Sequence, residues 1–359
     1  MSSVPEVAAA DCTSGESCAK SAETPQSRDI RIDVLRGLAI CLVVFGHLLS
    51  GGAAAAVVGA LIASFHMPLF VSLSGYLAFK VGRRTRWQWL GGKARQLLLP
   101  YAVFVLASYA LGFGWSDTHV SLWQYSVRAL LYADPAWWFL YVLFSCFALL
   151  ALCTIPSGVA SDIALIAVAA ALWVVFRLTG SYLLGLGYLH WYFTFFAGSY
   201  LLAKYRSRWQ GVGTWMLATG VVAYPFLMAK TVGLTPPPWF RAILMAATPI
   251  KVIAAAFAVA VAGTCVATLV AFLLARTPLA SLFSYLGRNT LDLFLLTSLV
   301  IGIYTWTLHQ SPPAGIAAAS AMSAAATVVA LGLARLIDLS PELATIILGH
   351  PYRRGRQAK

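Results

Sequence analysis

The residues best suited to chemistry lie in one apolar stretch: Asp33, Arg36 and His47, within Arg31-Ile32-Asp33-Val34-Leu35-Arg36-Gly37-Leu38-Ala39-Ile40 and Phe45-Gly46-His47. An ionisable group inside an apolar helix is costly, so each marks a functional hypothesis by default. At about 100° per residue, Arg36 and His47 fall within roughly 20° of one another, and Asp33 within about 40° of His47. One helical stripe therefore carries a carboxylate, a guanidinium and an imidazole. Eleven residues at about 1.5 Å each set His47 roughly 16 Å above Arg36.

A second stretch, Phe65-His66-Met67-Pro68-Leu69-Phe70 to Ser74-Gly75-Tyr76, runs the opposite way. Its His66 is fourteen residues, about 21 Å, above Lys80, which brings both histidines to a similar depth. An imidazole titrates near neutral pH and can take or give a proton in a reaction. The plainer readings are a histidine that donates between packed helices, and Arg31 and Arg36 as interfacial anchors with Asp33 as their partner. Pro68 reads as a helix kink, and Ser72 and Ser74 as helix-packing residues, because no G-x-S-x-G elbow surrounds them.

The elements that must position these groups follow from composition. Apolar residues make up 60% of the chain of 359 residues and charged ones 10%, against about 45–50% and about 25% in a soluble domain. A water-soluble fold is excluded. Expected spans are 32–54, 57–79, 97–113, 137–154, 162–176, 189–203, 212–228, 243–274, 284–306 and 315–337. The fold class is all-α, a polytopic bundle of about ten transmembrane helices with both termini cytoplasmic. Lys and Arg collect on one side of these spans, with only Arg128, Arg177, Lys230 and Arg241 on the other.

The net charge of +13 thus reads as cytoplasmic loops facing anionic lipid, and a nucleic-acid partner is set aside. Trp137 and Trp138, like Trp87, Trp89, Trp191 and Trp209, fall at span ends where an aromatic belt is expected. Residues 1–27 read as a disordered cytoplasmic tail, 28–340 as the membrane domain and 341–359 as a basic cytoplasmic tail. Asn289 also has a plainer reading as the cap of the ninth helix, and Lys251 and Asp292 need partners that the sequence does not identify. The cysteines form no disulfide framework or metal spacing, and no metal is expected. A transporter or flippase of a glycan or acyl carrier is the competing class, weakened by the lack of an internal repeat.

The run Asp33-Val34-Leu35-Arg36-Gly37-Leu38-Ala39 with His47, then Phe65-His66-Met67-Pro68-Leu69-Phe70 and Leu73-Ser74-Gly75-Tyr76, resembles the integral membrane acyltransferase family 3. Lys93-Ala94-Arg95 before Leu99-Pro100-Tyr101, then Trp138-Phe139-Leu140, then Leu286-Gly287-Arg288-Asn289-Thr290-Leu291, are similar to its later motifs in order. The resemblance covers about residues 30 to 335. It departs at Phe294 and Thr297, where many relatives carry Tyr and His. What it implies is transfer of an acetyl group from acetyl-CoA to a sugar hydroxyl of a surface glycan, an exopolysaccharide or a lipid-linked precursor, in a bacterial inner membrane.

On that reading the expected catalytic group is His47, His66, Asp33 and Arg36, and the expected substrate-binding residues are Arg95, Arg84, Lys93, Trp138, Asn289 and Tyr76. His47 is expected to act as general base on the acceptor hydroxyl. His66 would be a second proton carrier or a donor to the thioester oxygen. Asp33, about 21 Å from His47 along the helix, is too far to orient that imidazole and would instead fix Arg36 or a further partner. The basic residues would hold the phosphates of CoA. The partners expected are acetyl-CoA, a glycan or glycolipid acceptor and membrane lipid.

Overall fold

The computed structural model describes residues 29–79, 85–112, 120–209, 211–231, 249–308 and 315–350. The described residues are almost entirely helical. The elements are α1 (Ile30–Leu48), α2 (Ala53–Ala78), α3 (Arg86–Leu111), α4 (Leu122–Tyr132), α5 (Trp138–Cys153), α6 (Val159–Thr179) and α7 (Leu186–Lys204). After the single turn α8 (Arg206–Trp209) come α9 (Gly213–Thr231), α10 (Pro249–Leu274), α11 (Ala280–Arg288), α12 (Thr290–Leu308), α13 (Ile316–Asp338) and α14 (Pro341–Leu348). The expected tails at 1–27 and 351–359 lie outside the described residues.

Five described helices, α2, α3, α6, α10 and α13, are long and apolar enough to cross a membrane, and the bent pair α11–α12 makes a sixth. α5 and α9 are shorter and apolar. α1 has 19 residues but carries Arg31, Asp33 and Arg36 in its first two turns, and these charges keep it out of that purely apolar group. Length and composition alone therefore reach six of the ten expected crossings.

α1 is the hub. It packs against α2, α10, α11, α12 and α13, while α2 lies along α7 and α10, and α3 lies along α5 and α14. The closest crossing is made by two glycines. A Cβ on Gly37 would sit 1.9 Å from the Phe283 carbonyl oxygen, and one on Gly287 would sit 1.8 Å from that of Asp33. Backbones approach this closely only where a side chain is missing, the usual device for joining helices in a membrane.

Four features differ from the sequence expectation. α3 starts at Arg86, directly after its N-cap Thr85, whose hydroxyl accepts from the Gln88 N–H; Lys93 and Arg95 therefore belong to the helix and not to a loop. The expected span 284–306 is broken, with α11 and α12 meeting at 79°. Asn289 does not cap the second of them with its side chain; its Nδ2 donates to the Tyr285 carbonyl at 2.8 Å and closes α11. Trp137 is no belt residue either, being 2% exposed, with its indole N–H donating to the Ser108 hydroxyl at 2.7 Å. It packs against Phe104.

α4 is tied by hydrogen bonds to α3 and to the Asp134 turn that leads into α5. The Tyr101 hydroxyl donates to the Ala129 carbonyl and accepts from the Asp134 N–H. Tyr125 donates to the Asp134 carboxylate at 2.7 Å, which also accepts from the Ala136 N–H at 2.8 Å. A fully buried carboxylate is kept by these bonds, since a buried carboxylate left without partners is strongly destabilising.

Candidate active site

Between α1, α2, α3, α5 and the α11–α12 elbow lies a cavity of about 250 Å³. Its polar wall is built by Arg36, Lys93, Gln96, Arg288 and Thr290, and its apolar wall by Val43, Met67, Phe70, Phe139, Phe147 and Phe294, among others. The polar residues come from the end of the bundle where α1 and α3 begin and α11 ends, hereafter the basic end. Lys93 donates to Gln96 at 3.1 Å and lies 4.8 Å from the centre of the Phe147 ring. The Gly37–Gly287 crossing explains why Arg36 and Arg288 share one cavity: each is next in sequence to a glycine that lets the two helices touch.

The two histidines stand just beyond the apolar wall. Val43 is one turn before His47 on α1 and Met67 is next in sequence to His66 on α2, while neither histidine is among the lining residues. Gly46 faces Ile62 across the helix pair, at 3.3 Å from a Cβ position to the Ile62 methyl. The Ile62 carbonyl in turn accepts from His66 Nδ1 at 2.8 Å. The same contact that joins α1 to α2 thus holds the His66 ring, and the two imidazoles lie within electrostatic reach of each other.

That hydrogen bond decides the tautomer of His66. A carbonyl accepts only, so Nδ1 carries the hydrogen, and in the neutral ring the lone pair is on Nε2. His66 is thereby prepared to take a proton. Donating from Nε2 would require the imidazolium. His47 is exposed at the end of α1 and His66 is half-buried. His190 makes the same bond to its own preceding turn, at 2.8 Å to Leu186, but is stacked 3.9 Å from Phe176 and serves as packing.

The expected site residues divide clearly. Arg36 and Lys93 line the cavity, and Asp33 lies buried at the α1–α11 crossing. Arg95 is exposed on the adjacent face of α3, and Tyr76 and Asn289 flank cavity residues without lining it. Trp138 stacks on Tyr188 at 4.4 Å and on Tyr192 at 5.1 Å, away from the cavity wall that its neighbour Phe139 supplies. Arg84 lies outside the described residues. Ser74 does line the cavity, with its hydroxyl turned to the Phe70 carbonyl at 2.9 Å.

Arg288, Gln96, Trp89 and Thr290 were not singled out from sequence as site residues. Arg288 sits inside the Leu286-Gly287-Arg288-Asn289 motif, and its glycine was the available signal. Gln96 and Trp89 carry no such mark; they reach the cavity because α3 begins earlier than its hydropathy suggests. Phe294 also lines the cavity, and Thr297 is buried with its hydroxyl bonded to the Leu293 carbonyl.

A second cavity, of about 320 Å³, opens among Arg128, Tyr132, Ala133, Pro135, Tyr182 and Tyr188. It lies at the opposite end from Arg36 and Lys93, where α4 ends and α7 begins. Tyr188 belongs both to this cavity and to the Trp138 stack. Among the described residues no group of three His, Cys, Asp or Glu side chains gathers as a metal site.

Comparison with known proteins gives two relatives and a family. Nodulation protein NolL of Sinorhizobium fredii is 33% identical over 158 residues, 41% of this chain and 40% of that protein. Nodulation protein NolL of Mesorhizobium japonicum is 40% identical over 82 residues, 21% of this chain and 22% of that protein. The chain therefore matches well under half the length of these relatives. No solved structure matches it significantly. The acyltransferase domain family matches residues 29–335, from the N-cap of α1 to the last turn of α13, and the chain belongs to that family, the membrane-embedded acyltransferase family 3.

Proposed function

We propose that this acyltransferase moves an acetyl group from acetyl-CoA to a sugar hydroxyl of a surface glycan or its lipid-linked precursor. The observation that carries the reading is one cavity lined by Arg36, Lys93 and Arg288 and also by Val43, one turn from His47, and Met67, next in sequence to His66. Its volume suits a pantetheine arm and not a whole nucleotide. The adenosine and phosphates would stay at the basic end, held by guanidinium and ammonium groups. The arm would run the rise from Arg36 to His47, about 16 Å, to deliver the thioester to the histidines.

In this mechanism His47 takes the proton of the acceptor hydroxyl as its oxygen attacks the thioester carbonyl carbon. The C–S bond then breaks, acetyl passes to the sugar oxygen, and CoA leaves as the thiol with a proton returned from the imidazoles. His66, with its lone pair on Nε2, is the second proton carrier. Asp33 and Arg36 anchor the donor end.

The acceptor would reach the histidines from the opposite end. The Trp138, Tyr188 and Tyr192 stack beside the cavity of Arg128, Tyr132 and Tyr182 supplies aromatic faces and a donor for a sugar ring. The full reading places ten crossings in a bacterial inner membrane, both termini cytoplasmic and residues 28–340 as the membrane domain.

Equilibrium binding of radiolabelled acetyl-CoA to the protein in nanodiscs tests the donor. Saturable binding competed by CoA supports the reading. Absence of binding, with membrane glycolipid extract also supplied, overturns it.

A further inference from the structure

The chain leaves α13 at Asp338, turns through Ser340 into α14, and stops this helix at Gly349. Ser340 caps α14 by accepting from the Leu343 N–H at 3.4 Å. Gly349 has φ +68 and lies so close to α3 that a Cβ there would meet the Gln96 carbonyl oxygen at 2.4 Å. Both conditions exclude any other residue without local movement.

His350 follows. Its Nε2 lies 2.9 Å from an Asp292 carboxylate oxygen on α12, and its Nδ1 lies 3.0 Å from one of Asp338 on α13. A carboxylate accepts, so both ring nitrogens must donate to complete both bonds, and only the imidazolium does so. Asp292, left without a partner by the sequence, finds one here.

The elements so tied are walls of the donor cavity. Gln96 and Lys93 of α3 form one side, and Thr290 and Leu291 of the first turn of α12 form the other. α14 packs on α3 and α13 and reaches α12. Asp292 is two residues from Thr290. The His350–Asp292 contact thus lies within one turn of helix of the cavity wall.

We propose that His350 is a positioning residue for the donor: as an imidazolium bridging Asp292 and Asp338, it holds the first turn of α12 against α3 so that Arg288, Thr290 and Lys93 keep the spacing that the acyl-CoA needs. The claim about the donor rests on the function proposed above; the clamp itself does not. The charged groups that act on the ring are the carboxylates of Asp292 on α12 and Asp338 on α13; of the other elements packed there, α3 carries Lys93 one turn before Gln96, and α14 carries Glu342 in its first turn. Arg335 of α13 is turned to the Tyr285 hydroxyl at 3.3 Å.

The hydrogen bond to Asp292, then the negative charge of both aspartates, raises the His350 pKa above its ordinary 6.5 against the opposing effect of burial. A raised histidine pKa means that the folded state binds the proton more tightly than the unfolded chain. The contribution of the bridge is therefore complete below 6.5 and is lost as pH rises through the raised value.

The test compares wild type, His350→Ala and His350→Lys from mildly acidic to mildly alkaline pH, reading KM for acetyl-CoA, kcat, and amide hydrogen exchange at Thr290–Leu293 without donor. The expected result is a KM raised about fivefold or more in the alanine variant at acidic pH with kcat within about twofold, a loss of about 1 kcal/mol of donor binding. Wild-type KM should climb toward the variant's value as pH rises, and the lysine variant should stay low and flat. Coincident KM profiles for wild type and His350→Ala overturn the proposal. If wild type does not use acetyl-CoA at all, the exchange data still decide the clamp: faster exchange in His350→Ala upholds it, and unchanged exchange overturns it.

Discussion

Gly287 of α11 lies against Gly37 of α1 so closely that a Cβ on Gly287 would meet the Gly37 amide nitrogen at 2.9 Å and the Asp33 carbonyl oxygen at 1.8 Å. Two sequence motifs some 250 residues apart thus meet backbone to backbone, and Arg36 and Arg288 are brought to one cavity by it. Replacing either glycine with alanine forces the helices apart. Overpacking of this kind costs about 1–3 kcal/mol or more. Gly37→Ala and Gly287→Ala are each expected to lower the thermal midpoint in nanodiscs and to abolish CoA binding. Unchanged midpoint and binding in either variant would remove the crossing as the organiser of the site.

The basic mouth makes a separable prediction. Arg36→Ala, Lys93→Ala and Arg288→Ala should each raise the acetyl-CoA KM about tenfold, or about 1.4 kcal/mol, with little change in kcat. Arg36→Lys should recover only part of it, because an ammonium lacks the planar fork of a guanidinium. Steady-state kinetics with dephospho-CoA thioesters identify which residue meets which phosphate. A KM that none of the three substitutions moves contradicts phosphate binding there.

His66 can be divided by substitution. Asparagine can offer a donor near the position of Nδ1 and keep the bond to Ile62 while lacking anything at Nε2. His66→Asn is expected to retain the wild-type thermal midpoint and CoA affinity and to lose about a hundredfold in kcat. A fully active His66→Asn would leave His66 as a packing residue.

On the acceptor side, Trp138→Ala should raise KM for a glycolipid acceptor and leave KM for acetyl-CoA unchanged, and Trp138→Phe should fall between. The reverse pattern, a donor effect without an acceptor effect, would move Trp138 to the donor cavity.

Much of this was legible in the residues themselves. The stripe of Asp33, Arg36 and His47 needed only helix periodicity, and the equal depth of His47 and His66 needed only the rise per residue. Hydropathy set the approximate position of most helices. It misplaced the start of α3, because Arg86, Lys93 and Arg95 look like loop residues although Thr85 caps a helix ahead of them. The bend at Asn289 was hidden because α11 and α12 are both apolar and read as one span. Asp292 and His350 are 58 residues apart, and no local pattern pairs a buried aspartate with a histidine just after α14. Arg288 was counted for its charge at a span end, whereas its position beside Gly287 is what carries it into the cavity.

The most direct measurement is transfer of radiolabelled acetyl from acetyl-CoA to membrane glycolipid by the purified protein in nanodiscs, wild type beside His47→Ala, with CoA binding measured for both. The expected result is turnover by wild type, and undiminished CoA binding with kcat reduced by a factor on the order of 10²–10⁴ in the variant. Turnover by His47→Ala at the wild-type rate would contradict the account, because the proton of the acceptor hydroxyl would then be taken elsewhere.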